Sequence, residues 1–236
     1  MKMKNKLALG LIASSFAGKV MENMKTKDNV SPNTETTFNL YKDTPVISER
    51  SYIHHFASVI GSVEIKEEVF VAPFASIRGD EGLKIHIGKF CSIQDGVVIH
   101  GLKNFELGSN VVQNTVFKDR FPYSVHISES CTLSPQSQIH GPARLDSNVW
   151  IGMQCLVFDS FVQENVVLEP GAKVIGVTIP KNRYVPAGMV VTTQEEADQL
   201  PVLNGKNRYF ELNEKLVDTN RELALGYKGD QKEWKH

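Results

Sequence analysis

Aliphatic residues recur at every sixth position through most of the chain, with polar and small residues between them. The series begins at Val59, is interrupted by two insertions, and slips by one residue after Val157. A period of six fits neither the 3.6-residue repeat of an α-helix nor the two-residue alternation of a simple strand. The sixteen members of the series are Val59, Ile65, Val71, Ile77, Ile87, Ile93, Ile99, Ile127, Leu133, Ile139, Leu145, Ile151, Val157, Val162, Leu168 and Val174.

This period is typical of a coil with three flat faces, in which each hexapeptide forms one short strand and one corner. Three hexapeptides complete a turn of about 18 residues, and each aliphatic side chain points into a narrow interior. We therefore predict a mainly β fold, a left-handed parallel β-helix of hexapeptide repeats over residues 40–192. The insertions are a short one, RGDEGLK, and a longer one from about Gly101 to Val125. An irregular β-sandwich is the alternative, and sixteen positions in frame argue against it.

The N-terminal part of the chain follows a different pattern. Three lysines within the first six residues precede an apolar run from Leu7 to Ala17, and a polar stretch follows from Gly18 to Asn39. A basic start, a short apolar run and small residues at its end are typical of a signal peptide. We predict that residues 1–39 form an export leader and a linker outside the fold. The run is too short to span a membrane, and a retained leader on a cytoplasmic protein is the alternative.

The C-terminal part, residues 193–236, predicts helices that pack on the coil. Thr193 is a helix-capping residue followed by an acidic first turn, and Pro201 ends that helix. The stretch from Lys206 to Gly226 is helix-prone, and Gly226 is expected to end it. The apolar stripe expected to lie on the coil consists of Phe210, Leu216 and Leu223.

Composition narrows the functional classes. The 236 residues are 41% hydrophobic, which is typical of a globular protein, and the formal net charge is −1. A charge so close to zero gives no electrostatic reason to expect nucleic acid or an anionic membrane surface as a partner. The three cysteines, Cys91, Cys131 and Cys155, form no CxxC pair and are expected to be buried free thiols.

A three-faced coil has no deep pocket of its own, so a site on it normally needs a neighbouring subunit. The polar residues of interest are therefore those at the corners between repeats. Two regions contain such residues: the segments ASIRGDEG (Ala75–Gly82) and SIQDGVVIH (Ser92–His100), and the segment SPQSQIHGPA (Ser134–Ala143).

These segments resemble the γ-class carbonic anhydrases, metal enzymes that hydrate carbon dioxide. The resemblance extends from about Tyr52 to Lys228 and is therefore more specific than a single motif. It implies a homotrimer with a zinc or iron(II) site at each subunit interface, and carbon dioxide and bicarbonate as substrates. Further segments that carry it are IGMQCLVF (Ile151–Phe158), LEPGAKVIGVTIP (Leu168–Pro180), RYVPAGMVVT (Arg183–Thr192) and NRELALGYK (Asn220–Lys228).

The resemblance identifies two metal ligands and the loss of a third. His100 and His140 match two of the three metal-binding histidines of the family, and each follows an interior isoleucine. The third histidine of the family corresponds to Pro135, whose side chain has no donor atom. Since a catalytic zinc typically has three protein ligands, the resemblance predicts a degenerate metal site. We see a substitute ligand in neither Ser134 nor Gln136, which are poor neutral ligands.

The resemblance also assigns roles to the residues around the metal. It implies that Gln94 orients the metal-bound hydroxide, that Glu81 transfers protons, and that Asn220 lies near the substrate. Arg78 and Asp80 match an ion pair at the trimer interface, and Asp95 matches a partner in the same network. In the loop after His100, Lys103 stands where the well-known active subgroup has a glutamate, and Glu106 lies nearby.

We therefore predict a γ-class carbonic anhydrase homologue in which carbon dioxide hydration is weak or absent. One alternative is an active metal-dependent enzyme with a substitute third ligand. A second is a non-catalytic trimer that serves as a binding or scaffold module. A third is the wider hexapeptide acyltransferase class, which shares the coil but not the additional segments.

Overall fold

The interior of the fold is a narrow core of stacked side chains, most of them aliphatic. A computed structural model describes residues 29–106 and 108–229 of the chain. All sixteen members of the six-residue series are at most 1% exposed in it. Successive members stack in register, as Val59 does on Ile77 and Ile99 on Ile139. The predicted left-handed parallel β-helix is confirmed.

The strands form three ladders, which we call face one, face two and face three. Face one consists of β1 (Val30–Ser31), β4 (Ser58–Gly61), β7 (Ser76–Gly79), β10 (Val98–His100), the first halves of β17 (Gln138–Leu145) and β19 (Leu156–Val162), β21 (Lys173–Ile175) and β24 (Val190–Val191). Face two consists of β2 (Val46–Ile47), β5 (Val63–Ile65), β8 (Ile85–Ile87), β15 (Val125–Ile127), the second halves of β17 and β19, and β22 (Thr178–Ile179). Face three consists of β3 (Tyr52–Ile53), β6 (Phe70–Val71), β9 (Ser92–Ile93), β16 (Thr132–Leu133), β18 (Trp150–Ile151), β20 (Val167–Leu168) and β23 (Tyr184–Val185).

The one-residue slip in the sequence corresponds to an irregularity between two long strands. Strands β17 and β19 each turn a corner without a break, and their register shifts after His140. His140 lies opposite Phe158 and Ala143 lies opposite Ser160, so β17 has one residue more than β19 at this corner. The extra residue of β17 forms a β-bulge. The interior residues therefore stay stacked, although Ile139 and Leu145 are six residues apart and their partners Val157 and Val162 are five apart.

The longer insertion leaves the coil after face one and returns on face two. It contains two antiparallel hairpins and a short 3₁₀ helix between them. These elements are β11 (Phe105–Glu106), β12 (Ser109–Asn110), the 3₁₀ helix Val112–Asn114, β13 (Val116–Lys118) and β14 (Phe121–Tyr123).

The boundary predicted at residue 39 needs a correction. Val30 pairs with Val59, so the chain from residue 29 onward already adds a strand to face one. Asn39 is buried, and its Nδ2 donates a hydrogen bond to the backbone oxygen of Asp80 at 2.6 Å. The end of the predicted linker is therefore part of the fold. It pairs with the edge strand of face one, and the buried Asn39 amide is held by a hydrogen bond. The predicted leader, residues 1–28, lies outside the described residues.

Two helices follow the coil. Helix α1 (Gln194–Asp198) begins with a capping box between Thr193 and Glu196, as the sequence predicts. Helix α2 (Leu212–Lys228) ends at Gly229 in the left-handed conformation, so it continues past the predicted end at Gly226. No helix within the described ranges is long and apolar enough to cross a membrane.

The predicted apolar stripe on α2 is wrong. Leu223 is 40% exposed, and Phe210, which precedes the helix, is 48% exposed. The buried face of the helix instead consists of Asn213, Val217, Asn220, Ala224 and Leu225. Two polar residues on this face, Asn213 and Asn220, interrupt the hydrophobic period that a sequence pattern would show. They are buried because their Nδ2 groups donate to backbone oxygens of Ser130 and Leu216.

An ion pair fixes α2 against face three. The Glu68 carboxylate accepts two hydrogen bonds from Arg221 on α2, at 2.7 and 2.9 Å, and one from Arg50 at 2.7 Å. Burial raises the pKa of Glu68, but the two guanidinium groups outweigh it and hold the pKa below its ordinary value. Tyr227 also stacks on Tyr52 with ring centroids 4.7 Å apart.

We expect Ile139→Ala to lower the free energy of unfolding by about 2–5 kcal/mol, because the narrow column cannot close over the lost atoms. The matched control is Val190→Ala on the same face, where the side chain is 48% exposed and a change within about 0.5 kcal/mol is expected. Denaturant unfolding measures both. Equal losses in the two variants would contradict the assignment of the interior.

We expect Glu68→Gln to loosen α2 and to cost about 1–3 kcal/mol, because two arginines lose a charged acceptor. Amide hydrogen exchange across residues 212–228 should become faster, whereas exposed Glu222→Gln should leave it unchanged. Since the folded-state pKa of Glu68 is lowered, its contribution is present at neutral pH and is lost as the pH falls below about 4.5. The variant should therefore lose less stability on acidification than the parent chain.

Candidate functional site

Two histidines lie one above the other on face one. Ile99 and Ile139 pair in register and point inward, so the next residues, His100 and His140, pair in register and point outward. Their ring centroids are 4.2 Å apart with an edge-to-face angle of 67°. Both rings are half-buried. The repeat of the coil therefore brings together two imidazoles that are 40 residues apart in the sequence.

Backbone carbonyls fix the orientation of both rings. Nδ1 of His140 lies 2.9 Å from the oxygen of Gly141, and Nδ1 of His100 lies 3.3 Å from the oxygen of Gly101. A carbonyl oxygen only accepts hydrogen bonds, so each Nδ1 carries the proton and each neutral ring has its lone pair on Nε2. Burial and the neighbouring His140 lower the pKa of His100, which favours the neutral ring. Neutral imidazoles in this tautomer can bind a metal or accept a hydrogen bond.

A charged group lies beside the histidines on the same face. Arg78 pairs in register with His100, one coil nearer the N-terminus. Its guanidinium donates to Glu81 at 2.8 Å and to Asp80 at 3.3 Å. A Glu81 oxygen also lies 3.6 Å from Nδ1 of His100. The structure therefore brings together Arg78, Asp80, Glu81 and the histidine pair.

Three other predicted residues lie at the corner between face three and face one. Gln94 and Asp95 follow β9, and Pro135 follows β16, which is the strand that pairs with β9. The Gln136 backbone NH donates to the Asp95 carbonyl oxygen at 2.9 Å, so Asp95 lies one coil below Pro135. Asp95 is exposed and forms no ion pair with Arg78 within the described chain.

Asn220 lies in a third location. It is 7% exposed on α2, which packs on face three, and its Nδ2 donates to the Leu216 oxygen at 2.7 Å. One chain therefore distributes the predicted site over face one, the neighbouring corner and a helix over face three. No group of three or more His, Cys, Asp or Glu side chains in the described part of the chain is arranged to hold a metal ion.

The side chains next to Pro135 are already engaged. The Ser134 hydroxyl is buried and accepts a hydrogen bond from Nε1 of Trp150 at 2.9 Å. The Gln136 amide oxygen accepts from Gln154 at 3.0 Å. Neither is placed to take over as a metal ligand, in agreement with their poor ligand chemistry.

The other histidines of the described chain lie elsewhere on the coil. His86 and His126 are on face two. His54 and His55 follow β3 at the same corner as Pro135. Three coils separate His55 from Pro135, and at strand spacings of about 4.8 Å this is a distance of roughly 14 Å. No histidine of the described chain can therefore substitute at position 135.

Sequence reasoning missed one residue of the site. Phe158 pairs in register with His140 on the next coil, and its ring meets the imidazole edge to face at 5.1 Å between centroids. The sequence did contain a signal for it, because Phe158 follows the interior residue Val157 as His140 follows Ile139.

In the loop after His100, Lys103 forms an ion pair with Glu106 at 2.6 Å, so neither group is an isolated proton acceptor.

No protein-family model matches the chain, but sequence relatives do. The chain is 47% identical over 201 residues to the protein named carbonic anhydrase from Methanosarcina thermophila, with 85% of this chain and 81% of the relative covered. It is 37% identical over 181 residues to the carboxysome assembly protein CcmM from Nostoc. That match covers 77% of this chain but only 31% of the relative.

Solved structures agree on the fold. A putative acetyltransferase from Bacillus cereus superposes with a TM-score of 0.60 over 86% of this chain and 99% of that one. The sequence identity is 18%, so this likeness concerns the coil alone.

Proposed function

Because this chain belongs to the γ-class carbonic anhydrase family, we propose that it is a homologue with a degenerate metal site and weak or absent carbon dioxide hydration. The observation that carries the proposal is Pro135, which stands where the family has a histidine ligand. Its backbone is held in the corner turn, since its carbonyl oxygen accepts from Gln154 at 3.2 Å. The position therefore has neither a donor side chain nor a freely adjustable backbone.

The residues present do not fit a catalytic zinc or iron(II) site with three protein ligands. His100 and His140 supply two imidazoles, and no described histidine reaches the third position. Two ligands hold a metal more weakly than three and leave its geometry undefined. We therefore assign Gln94, Glu81 and Asn220 to the remnant of a family site and derive no reaction step from them.

We propose a homotrimer in which the separate parts of the site meet between subunits. Face one of one subunit, with Arg78, Glu81 and the histidine pair, would lie against the corner of its neighbour, with Gln94, Asp95 and Pro135. The distribution of these groups over two surfaces of one chain supports this arrangement. The charged group around Arg78 is only half-buried in one chain, which is typical of an ionic contact completed by a partner.

A scaffold or binding role is the non-catalytic form of this proposal. It is supported by relatives that are named carboxysome assembly proteins, of which the chain spans 31%, 23% and 29% of the length in three cases. The intact coil, the fixed histidine rings and the ionic group on face one all persist without a metal.

We also propose that the protein is exported, from the signal-peptide pattern within residues 1–39. Mass spectrometry of the mature N-terminus tests whether the leader is cleaved.

An active enzyme is the second candidate function, and one observation favours it. The Asp95 carboxylate is exposed one coil from Pro135, at the same corner. A carboxylate oxygen is a competent zinc ligand, and Asp95 is therefore a candidate substitute ligand. Asp95→Asn distinguishes the two functions, because it should remove metal and activity only if Asp95 is the third ligand.

We expect the unmodified protein, purified without oxygen, to contain much less than one zinc or iron per subunit and to hydrate carbon dioxide slowly. Pro135→His should raise the metal content towards one per subunit and raise the hydration rate, by about tenfold or more, because it restores the third imidazole. Metal analysis and a stopped-flow hydration assay measure both quantities.

The matched control is Pro135→Ala, which relaxes the turn without adding a donor and should gain neither metal nor activity. Stoichiometric metal and fast hydration in the unmodified chain would refute the degenerate site. Gains in Pro135→Ala equal to those in Pro135→His would show that the turn, not the ligand, limits the site.

A further inference from the structure

A second pair of histidines lies on face two, away from the family site. His86 and His126 pair in register on β8 and β15, and their rings stack with centroids 4.8 Å apart and planes 10° apart. Tyr123, from the second hairpin of the long insertion, meets both rings edge to face at 6.0 and 4.9 Å. The coil therefore builds two histidine pairs by the same strand register, one edge to face on face one and one stacked on face two.

The two rings of this second pair differ in their hydrogen bonds. Nδ1 of His86 lies 3.1 Å from a Glu64 oxygen, which only accepts, so this nitrogen carries the proton. His126 is only 6% exposed, and its Nδ1 is buried without a hydrogen-bond partner in the described chain. A buried polar atom without a partner is unfavourable and calls for an explanation.

A cavity of about 300 Å³ lies beside the pair, and both rings line it. Three lysines reach it from different elements: Lys66 after β5, Lys89 after β8, and Lys118 on β13. Glu129 is the one carboxylate among the residues that line this cavity in the described structure. Lys66 is paired with Glu64 and Lys89 with Glu67, whereas Lys118 forms no ion pair within the described ranges.

The charges around His126 make its position electropositive. The pKa of His126 is lowered to about 4, mainly by burial and in addition by His86, Arg144 and Lys118, whereas Asp119 raises it. The other charged groups on these elements compensate one another: Arg144 binds Asp146 at 2.7 Å, and Glu64 binds Lys66, Lys84 and His86. The cavity lining carries three lysines against one carboxylate, and Lys118 has no ion pair within the described ranges, so an anion would be attracted to this position and a metal cation repelled.

We propose that this cavity on face two is a binding site for a phosphate group, held by Lys118, Lys89 and the His86–His126 pair. Several cationic groups around a space of about 300 Å³ suit a doubly charged tetrahedral anion better than a singly charged bicarbonate. The ligand is either free phosphate or the phosphate group of a small metabolite. The proposal does not depend on the function proposed for face one.

Binding of an anion should couple to protonation of the histidines. An anion stabilises a charged imidazole, so it raises the histidine pKa, and by linkage its affinity increases as the pH falls. Phosphate groups themselves take up a proton within this pH range, which would mask the effect. Sulfate keeps its double charge throughout this range and therefore reports on the histidines alone.

The test is titration calorimetry of the full chain with inorganic phosphate, sulfate and glycerol 1-phosphate at constant ionic strength. We expect dissociation constants of about 1 mM or tighter. Lys118→Gln should weaken binding by about fivefold or more, because it removes the unpaired cation. The control is Lys181→Gln, which removes an exposed lysine far from the cavity and should leave binding unchanged. Tighter binding of glycerol 1-phosphate than of phosphate would identify a metabolite as the source.

A double variant, His86→Phe with His126→Phe, keeps a stacked aromatic pair but removes both titrating groups. We expect the sulfate affinity of the parent chain to increase between about pH 7.5 and pH 5.5, and that of the double variant to stay constant. Circular dichroism checks that the variants fold. Absence of phosphate and sulfate binding, equal losses in Lys118→Gln and Lys181→Gln, or bicarbonate binding as tight as phosphate would overturn the proposal.

Discussion

The narrow interior of the coil is the constraint on which the rest of the structure depends. It accepts the aliphatic residue of each hexapeptide and the residue two positions before it, both stacked on their equivalents above and below, and almost all of these side chains are apolar. The neighbours of each interior residue must therefore point outward, and the register repeats them coil after coil. His100 over His140 and His86 over His126 are both consequences of this stacking.

The same constraint limits what one chain can assemble. A convex coil spreads its outward residues over separate faces and corners, so His140 and Pro135 are close in sequence but belong to different surfaces. A ligand lost at a corner cannot be replaced from the next face, because the backbone of every rung is fixed by its neighbours. This rigidity makes a single substitution at position 135 decisive for the proposed loss of metal binding.

The two histidine pairs share the same strand register but differ in ring geometry and in their surroundings. On face one, backbone carbonyls fix both rings, and Glu81 and Arg78 lie beside them. On face two, Glu64 fixes one ring only, and lysines surround a cavity next to the other. Neighbouring charges, rather than the histidines themselves, therefore distinguish a metal-type site from an anion-type site.

The sequence by itself determined the coil, its interior positions, the bulged slip after Val157 and the capping of α1, because each follows from a local pattern that is repeated or self-contained. It also identified Pro135 as a position without a donor. The tertiary structure alone decided which face of α2 is buried, that Val30 joins the sheet, and that His86 and His126 share a cavity. These features depend on contacts between distant segments, such as the hydrogen bond from Asn213 Nδ2 to the Ser130 oxygen, which no local hydrophobic period reveals.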